Sequence, residues 1–165
     1  MKKAIIVFIA ILVLTGLFCK KVKKGSESPE LKVKVATLAS EIKGMGDYTP
    51  RQSNVYSPGD EVLLYAEVEG FWFKKTEKGY EYWAIASLSL YDEDGNLVHT
   101  REIVNQHNYY KEALPSISFK ARLILGPNLS EGKYTLVLYF MDGLSKKSVE
   151  VEQPIVVKIK RGEAK

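Results

Sequence analysis

A single cysteine, Cys19, leaves this chain no way of closing an internal disulfide, so thiol content says nothing about its redox compartment. Histidine is almost as scarce. His99 and His107 stand eight positions apart with no ligand cluster around them, so they give no support to a metal site. Helical periodicity is missing after the first 19 residues, apart from Ala36–Ile42, which suits one turn. A basic excess is missing too, despite a formal charge of +4 from 24 Lys and Arg against 20 Asp and Glu. Six of those lysines fall in residues 1–24, leaving 18 basic groups against the same 20 acids in the rest. A body without positive excess lacks the electrostatic footprint of a nucleic-acid binder, so nucleic acid is not an expected partner.

The long apolar stretch is at the N-terminus. Ala4 to Phe18 form an uncharged run of 15 residues after Met1-Lys2-Lys3, closed by Cys19 and followed by Lys20, Lys21, Lys23 and Lys24. As a helix it rises about 22 Å, short of the roughly 30 Å hydrocarbon core. It has the length and polarity of an export signal. With Cys19 at its end it resembles a bacterial lipoprotein signal, which implies a lipid on that cysteine. It departs from that pattern at Phe18, where a small residue is expected. An uncleaved anchor is the second reading. A third, with the domain on the cytoplasmic side, follows from four lysines after the run against two before it. The expected organisation is a signal or anchor over residues 1–19, a polar tether over 20–30, one domain over 31–160 and a polar tail over 161–165.

Within the domain the period is 2. Val62, Leu64, Ala66 and Val68 alternate with more polar residues; so do Tyr82 to Leu90, Ile117 to Leu125 and Tyr134 to Phe140. Turn residues separate the runs at Ser57-Pro58-Gly59-Asp60, Lys78-Gly79, Asp92 to Asn96 and Asp142-Gly143. Seven to eight antiparallel strands at this spacing predict an all-β sandwich. Leu129 to Tyr134, with Gly132 before the tyrosine, resembles the tyrosine corner of immunoglobulin-like and fibronectin-type sandwiches. That resemblance assigns Tyr134 a structural role at a crossing between sheets. Gly44 to Pro50, Tyr56 to Val62 and Tyr65 to Glu69 together resemble uncharacterised envelope domains of bacteria, which implies an envelope location and brings no known activity.

Two groups of residues are candidates for binding. Glu41 to Ser57 reads as a long loop in which Asp47, Tyr48 and Arg51 offer polar contacts; alternatively it is a strap with Tyr48 packed inward. Trp72, Tyr80 and Trp83 could form an aromatic binding face, or brace a sheet edge as cross-strand pairs. Asp92, Asp94 and Asn96 have the spacing of a calcium-loop start, but Ile103 stands where the closing acid belongs, so a turn is expected. Glu67 and Glu69 read as solvated strand residues. The expectation is a non-catalytic, membrane-tethered extracytoplasmic domain with a protein or glycan partner and no cofactor. A carbohydrate-binding module using the aromatic face is one alternative. A hydrolase with carboxylates near Gly44–Pro50 is the other.

Overall fold

The structure, a computed structural model, describes residues 28–159. The apolar run, Cys19, most of the tether and the tail at 161–165 lie outside the described residues. No helix among the described residues is long and apolar enough to cross a membrane.

The domain is an all-β sandwich of two sheets. Seven long strands carry it: β1 (Lys32–Gly44), β4 (Glu61–Glu69), β6 (Gly79–Asp92), β7 (Leu97–Tyr110), β8 (Ser116–Ile124), β9 (Gly132–Asp142) and β10 (Ser148–Val157). Three short strands join them: β2 (Asp47–Pro50), β3 (Val55–Tyr56) and β5 (Lys74–Thr76). One sheet has the order β2-β1-β4-β8. The other runs β3-β10-β9-β6, with β7 along the far side of β6 and β5 extending the β9 side. Pairing is antiparallel except between β3 and β10, which are parallel.

The period-2 pattern explains the core. Val62, Leu64 and Val68 of β4 face Leu88 of β6 and Leu138 and Phe140 of β9, all within 1 % of full burial. Each such side chain contributes about 1.5–3 kcal/mol on leaving water, so the shared layer outweighs any single polar contact at the surface. Two segments differ from expectation. Ala36–Ile42 is not helical, because it lies in the middle of β1 and pairs with β4 through Ala36↔Ala66 and Leu38↔Leu64. Glu41–Ser57 is not a long loop. It is the β1–β2 hairpin followed by β3, where the chain leaves one sheet for the other.

The expected turns form. The Asp60 carboxylate accepts from Ser57 N–H at 2.7 Å, and the Asp60 N–H donates to the Ser57 carbonyl at 2.9 Å. Asp92 accepts the N–H groups of Asp94 and Asn96 at 3.1 and 2.8 Å, and the Asn96 amide at 3.1 Å. Led by that Asn96 amide bond, these contacts lower the Asp92 pKa, and they make the acidic stretch a turn. One turn is tied over a long distance. The Asp142 carboxylate, 1 % exposed, accepts from Leu144 and Ser145 in its own turn and from Trp72 N–H at 2.6 Å, far away in sequence.

The Tyr134 hydroxyl donates to the Ser130 carbonyl at 3.0 Å as the chain crosses from β8 to β9. Gly132 opens β9 opposite Val157 and leaves room for a methyl group, 3.8 Å from the Tyr134 ring. Tyr56 is the contrasting case, since its hydroxyl is buried without a partner. Tyr134→Phe therefore loses about 1 kcal/mol of stability, one net hydrogen bond, whereas Tyr56→Phe is neutral or stabilising. Urea unfolding of the two variants against the parent checks the contrast, and an equal loss in both contradicts it.

Candidate functional site

The first candidate group is occupied with holding the fold. Tyr48 lies flat on Tyr65 with ring centroids 4.1 Å apart. The hairpin tip bends back across the outer face of its sheet, so that Gly46 N–H donates to the Tyr65 hydroxyl at 2.7 Å. That hydroxyl in turn donates to Glu67, which also pairs with Lys34 at 3.5 Å. Burial, followed by the Glu67 bond, raises the Tyr65 pKa. The segment is a strap, but it lies over the outer face of its own sheet and not over an open end of the barrel. Arg51 donates to the carbonyls of Ser53 and Val55 at 2.8 and 3.1 Å and lies 4.4 Å over the Tyr56 ring. Asp47 alone of the three stays exposed. Glu41 pairs with Lys43 at 3.4 Å and Glu67 with Lys34, so these two carboxylates near the hairpin are held by different partners.

Strand parity separates the aromatic trio. Tyr80 has the inward parity of Tyr82, while Trp83 points to the outer face of the β7–β6–β9–β10 sheet. Trp72 is fixed through its backbone by Asp142. A single three-ring platform therefore does not form. Trp83 is braced on several sides. Its Nε1–H donates to Asn105 at 2.9 Å, His107 stacks beside it with centroids 5.3 Å apart, and Lys146 Nζ stands 4.7 Å over the ring. His107 is held in turn by Glu81 at 2.9 Å. Gly143 packs against the indole so tightly that a Cβ there would strike the ring. The cross-strand brace expected as the alternative reading describes Trp83 better than an open sugar platform.

A wide opening lies elsewhere on the same face. Pairing across β6, β9 and β10 aligns Ser87 with Tyr139 and Glu150, then Ser89 with Val137 and Glu152, then Tyr91 with Thr135. These outward side chains, with Asp92 and Glu93 at the strand end, line a groove of about 630 Å³. Its floor is hydroxyls, rings and one valine, and its rim is carboxylate. Such a surface suits a partner with donors and positive charge lying along the strands. Sequence reasoning missed it, because each strand contributes only alternate residues and the register that joins them is a tertiary property. Among the described residues no group of three His, Cys, Asp or Glu side chains is placed to hold a metal.

No family model matches the chain, and no curated protein matches it in sequence. A solved structure shares its fold. The sporulation control protein Spo0M from Bacillus subtilis aligns at a TM-score of 0.50 and 14% identity, over 78% of this chain and 49% of that one, so the chain spans about half the length of Spo0M. The C-terminal domain of Wzt aligns at 0.49 and 12% identity, over 79% and 74%. An immunoglobulin-like protein from Pseudomonas aeruginosa aligns at 0.41 and 13%, over 81% and 100%. At 14% identity the likeness to Spo0M speaks to fold alone.

Gly143→Ala forces the Trp83 ring out of its seat, destabilising the domain by about 1–3 kcal/mol and changing Trp emission. Emission spectra and urea midpoints measure both effects, and an unchanged spectrum at parental stability contradicts the packing. Alkaline pH provides a second test. Burial first, and then the neighbouring Tyr110 hydroxyl, push the Tyr82 pKa up to about 12, against about 10 in an unfolded chain. With the folded value raised, the stabilising effect is complete below pH 10 and is lost as pH climbs through 12. Urea midpoints fall across that window, and Tyr82→Phe makes the fall shallower; an identical slope in the variant counts against this assignment.

Proposed function

We propose that this chain is a non-catalytic, membrane-tethered domain that holds a partner against the outer face of its β7–β6–β9–β10 sheet at the cell envelope. The observation that carries the reading is the 630 Å³ groove, built from aligned strand residues and open along its length. Catalytic sites concentrate perturbed acids and bases in an enclosed cleft. Here the carboxylates of Glu150, Glu152 and Glu93 stand exposed on the rim of a shallow channel. Tyr91 and Tyr139 add flat, amphipathic area at low entropic cost, as interface tyrosines do. The partner favoured by this chemistry is an extended polypeptide segment carrying Lys or Arg.

The immunoglobulin-like reading is supported by β1, β4 and β8 lying in one sheet and β6, β7, β9 and β10 in the other, together with the Tyr134 corner. Tethering is supported by the apolar run Ala4–Phe18 and its lysine flanks, with Cys19 either lipid-bearing or the last residue of a protein anchor.

Site-specific photo-crosslinking in intact cells tests the groove. A crosslinker replacing Val137, on its floor, gives a discrete adduct, and one replacing Lys120, on the outer face of the other sheet, does not. The double reversal Glu150→Lys with Glu152→Lys lowers the Val137 adduct about tenfold or more, since two rim charges then repel the partner. Equal adducts from both faces, or a Val137 adduct indifferent to the reversal, overturn the proposal.

A further inference from the structure

We infer that the end of the sandwich where the described chain begins rests on a membrane surface of anionic lipid headgroups, with the groove extending away from it. The inference builds on the tethered reading and adds an orientation to it.

The start of the described chain is pinned. Lys147 Nζ donates to the Ser28 carbonyl at 2.7 Å and to Glu30 at 2.6 Å. Glu30 lies directly against Gly70, where a Cβ would strike its carbonyl, and Leu31 is buried. The described chain therefore begins beside the β9–β10 turn and the end of β4. Antiparallel pairing gathers the start of β6, the end of β7 and the start of β8 at this same end. If Ala4–Phe18 occupies the membrane, the nine residues between Phe18 and Ser28 reach at most about 32 Å. This end cannot turn far from the bilayer.

Its surface matches that neighbour. The β5–β6 hairpin carries Lys74, Lys75 and Lys78, the β9–β10 turn carries Lys146 and Lys147, and Lys111 follows β7. The acids among them are Glu30, Glu69, Glu77, Glu81, Glu112 and Asp142, of which Asp142 is buried on backbone N–H groups, Glu30 is paired with Lys147 and Glu81 with His107, while Lys32 opposite Glu69 adds a seventh lysine. Both tryptophans of the chain, Trp72 and Trp83, are here with Tyr80 and Tyr109. Lys146 Nζ stands 4.7 Å over Trp83 and Lys78 Nζ 5.8 Å over Tyr109. Rings beside lysines are the composition that settles at headgroup depth. The opposite end carries the small excess of the other sign: Asp60, Glu61, Asp92, Glu93, Asp94 and Glu131 stand there against Arg51, Arg101, Arg122, Lys133 and Lys158. An anionic surface attracts the first end and repels the second.

Because the only two tryptophans lie at the inferred contact, their emission reports it directly. The full chain is reconstituted into phosphatidylcholine vesicles, with or without about a third phosphatidylglycerol, each containing lipid brominated near the headgroup. Each lysine at an anionic surface is worth about fivefold in partitioning. Trp quenching is therefore strong in the anionic vesicles, several-fold weaker in phosphatidylcholine or at high salt, and lost in Lys74→Glu/Lys75→Glu/Lys78→Glu, whose urea midpoint confirms that it is folded. Quenching that ignores lipid charge, or survives the triple reversal, overturns the orientation while flotation with the vesicles leaves the tether standing. A chain that floats with neither vesicle overturns tether and orientation together.

Discussion

Each of the two sheets is apolar on one face, and neither can keep that face in water; the layer they share is what every other feature rests on. Leu64, Leu88, Leu138 and Phe140 are sealed within it. Once they are inward, the opposite parity of β6, β9 and β10 must point outward, so the groove is a consequence of the core. Slipping one strand by one residue would bury Glu150 and Glu152 and expose Val149 and Val151. Register at the site is thus maintained by packing on the other side of the sheet.

A smaller set of polar contacts decides how the ends are finished. Asp142 is buried yet hydrogen-bonded to three backbone N–H groups, which compensates the cost of taking a carboxylate out of water. By joining the β9–β10 turn to Trp72 it steadies the end at which the described chain begins. Tyr65 performs the equivalent task on the other sheet. It sits on the outer face of β4 but is fully buried, because the β1–β2 hairpin folds over it and supplies a ring and an N–H. These contacts free the exposed face of the β7–β6–β9–β10 sheet from structural duty at its distal half, whereas Trp83 and His107 occupy the proximal half.

Strand identity, the main turns and the Tyr134 corner were legible in the sequence, since each depends on residues within a few positions of one another. Tyr80 and Trp83 were grouped as one face from the sequence, although their odd spacing on one strand places the two side chains on opposite faces. Tyr65 was not legible, since alternation assigns it to solvent and only a hairpin from elsewhere covers it. For Tyr48 the sequence left both a polar contact and an inward-packed strap open, and it named neither Tyr65 as the ring beneath it nor the Ser53 and Val55 carbonyls as the acceptors of Arg51.

The amino-acid sequence by itself determined an all-β body with its inward and outward residues, turns at glycine, proline and aspartate, and an apolar N-terminal run flanked by lysines. These follow from side-chain period and local backbone preference, which require no partner segment. Tertiary structure alone decided that Ser87, Tyr139 and Glu150 form one row, that Asp142 reaches Trp72, and that lysines from three separate connections share one end with both tryptophans. Those are meetings of residues far apart in the chain, set by strand register and sheet order, and a linear pattern carries neither.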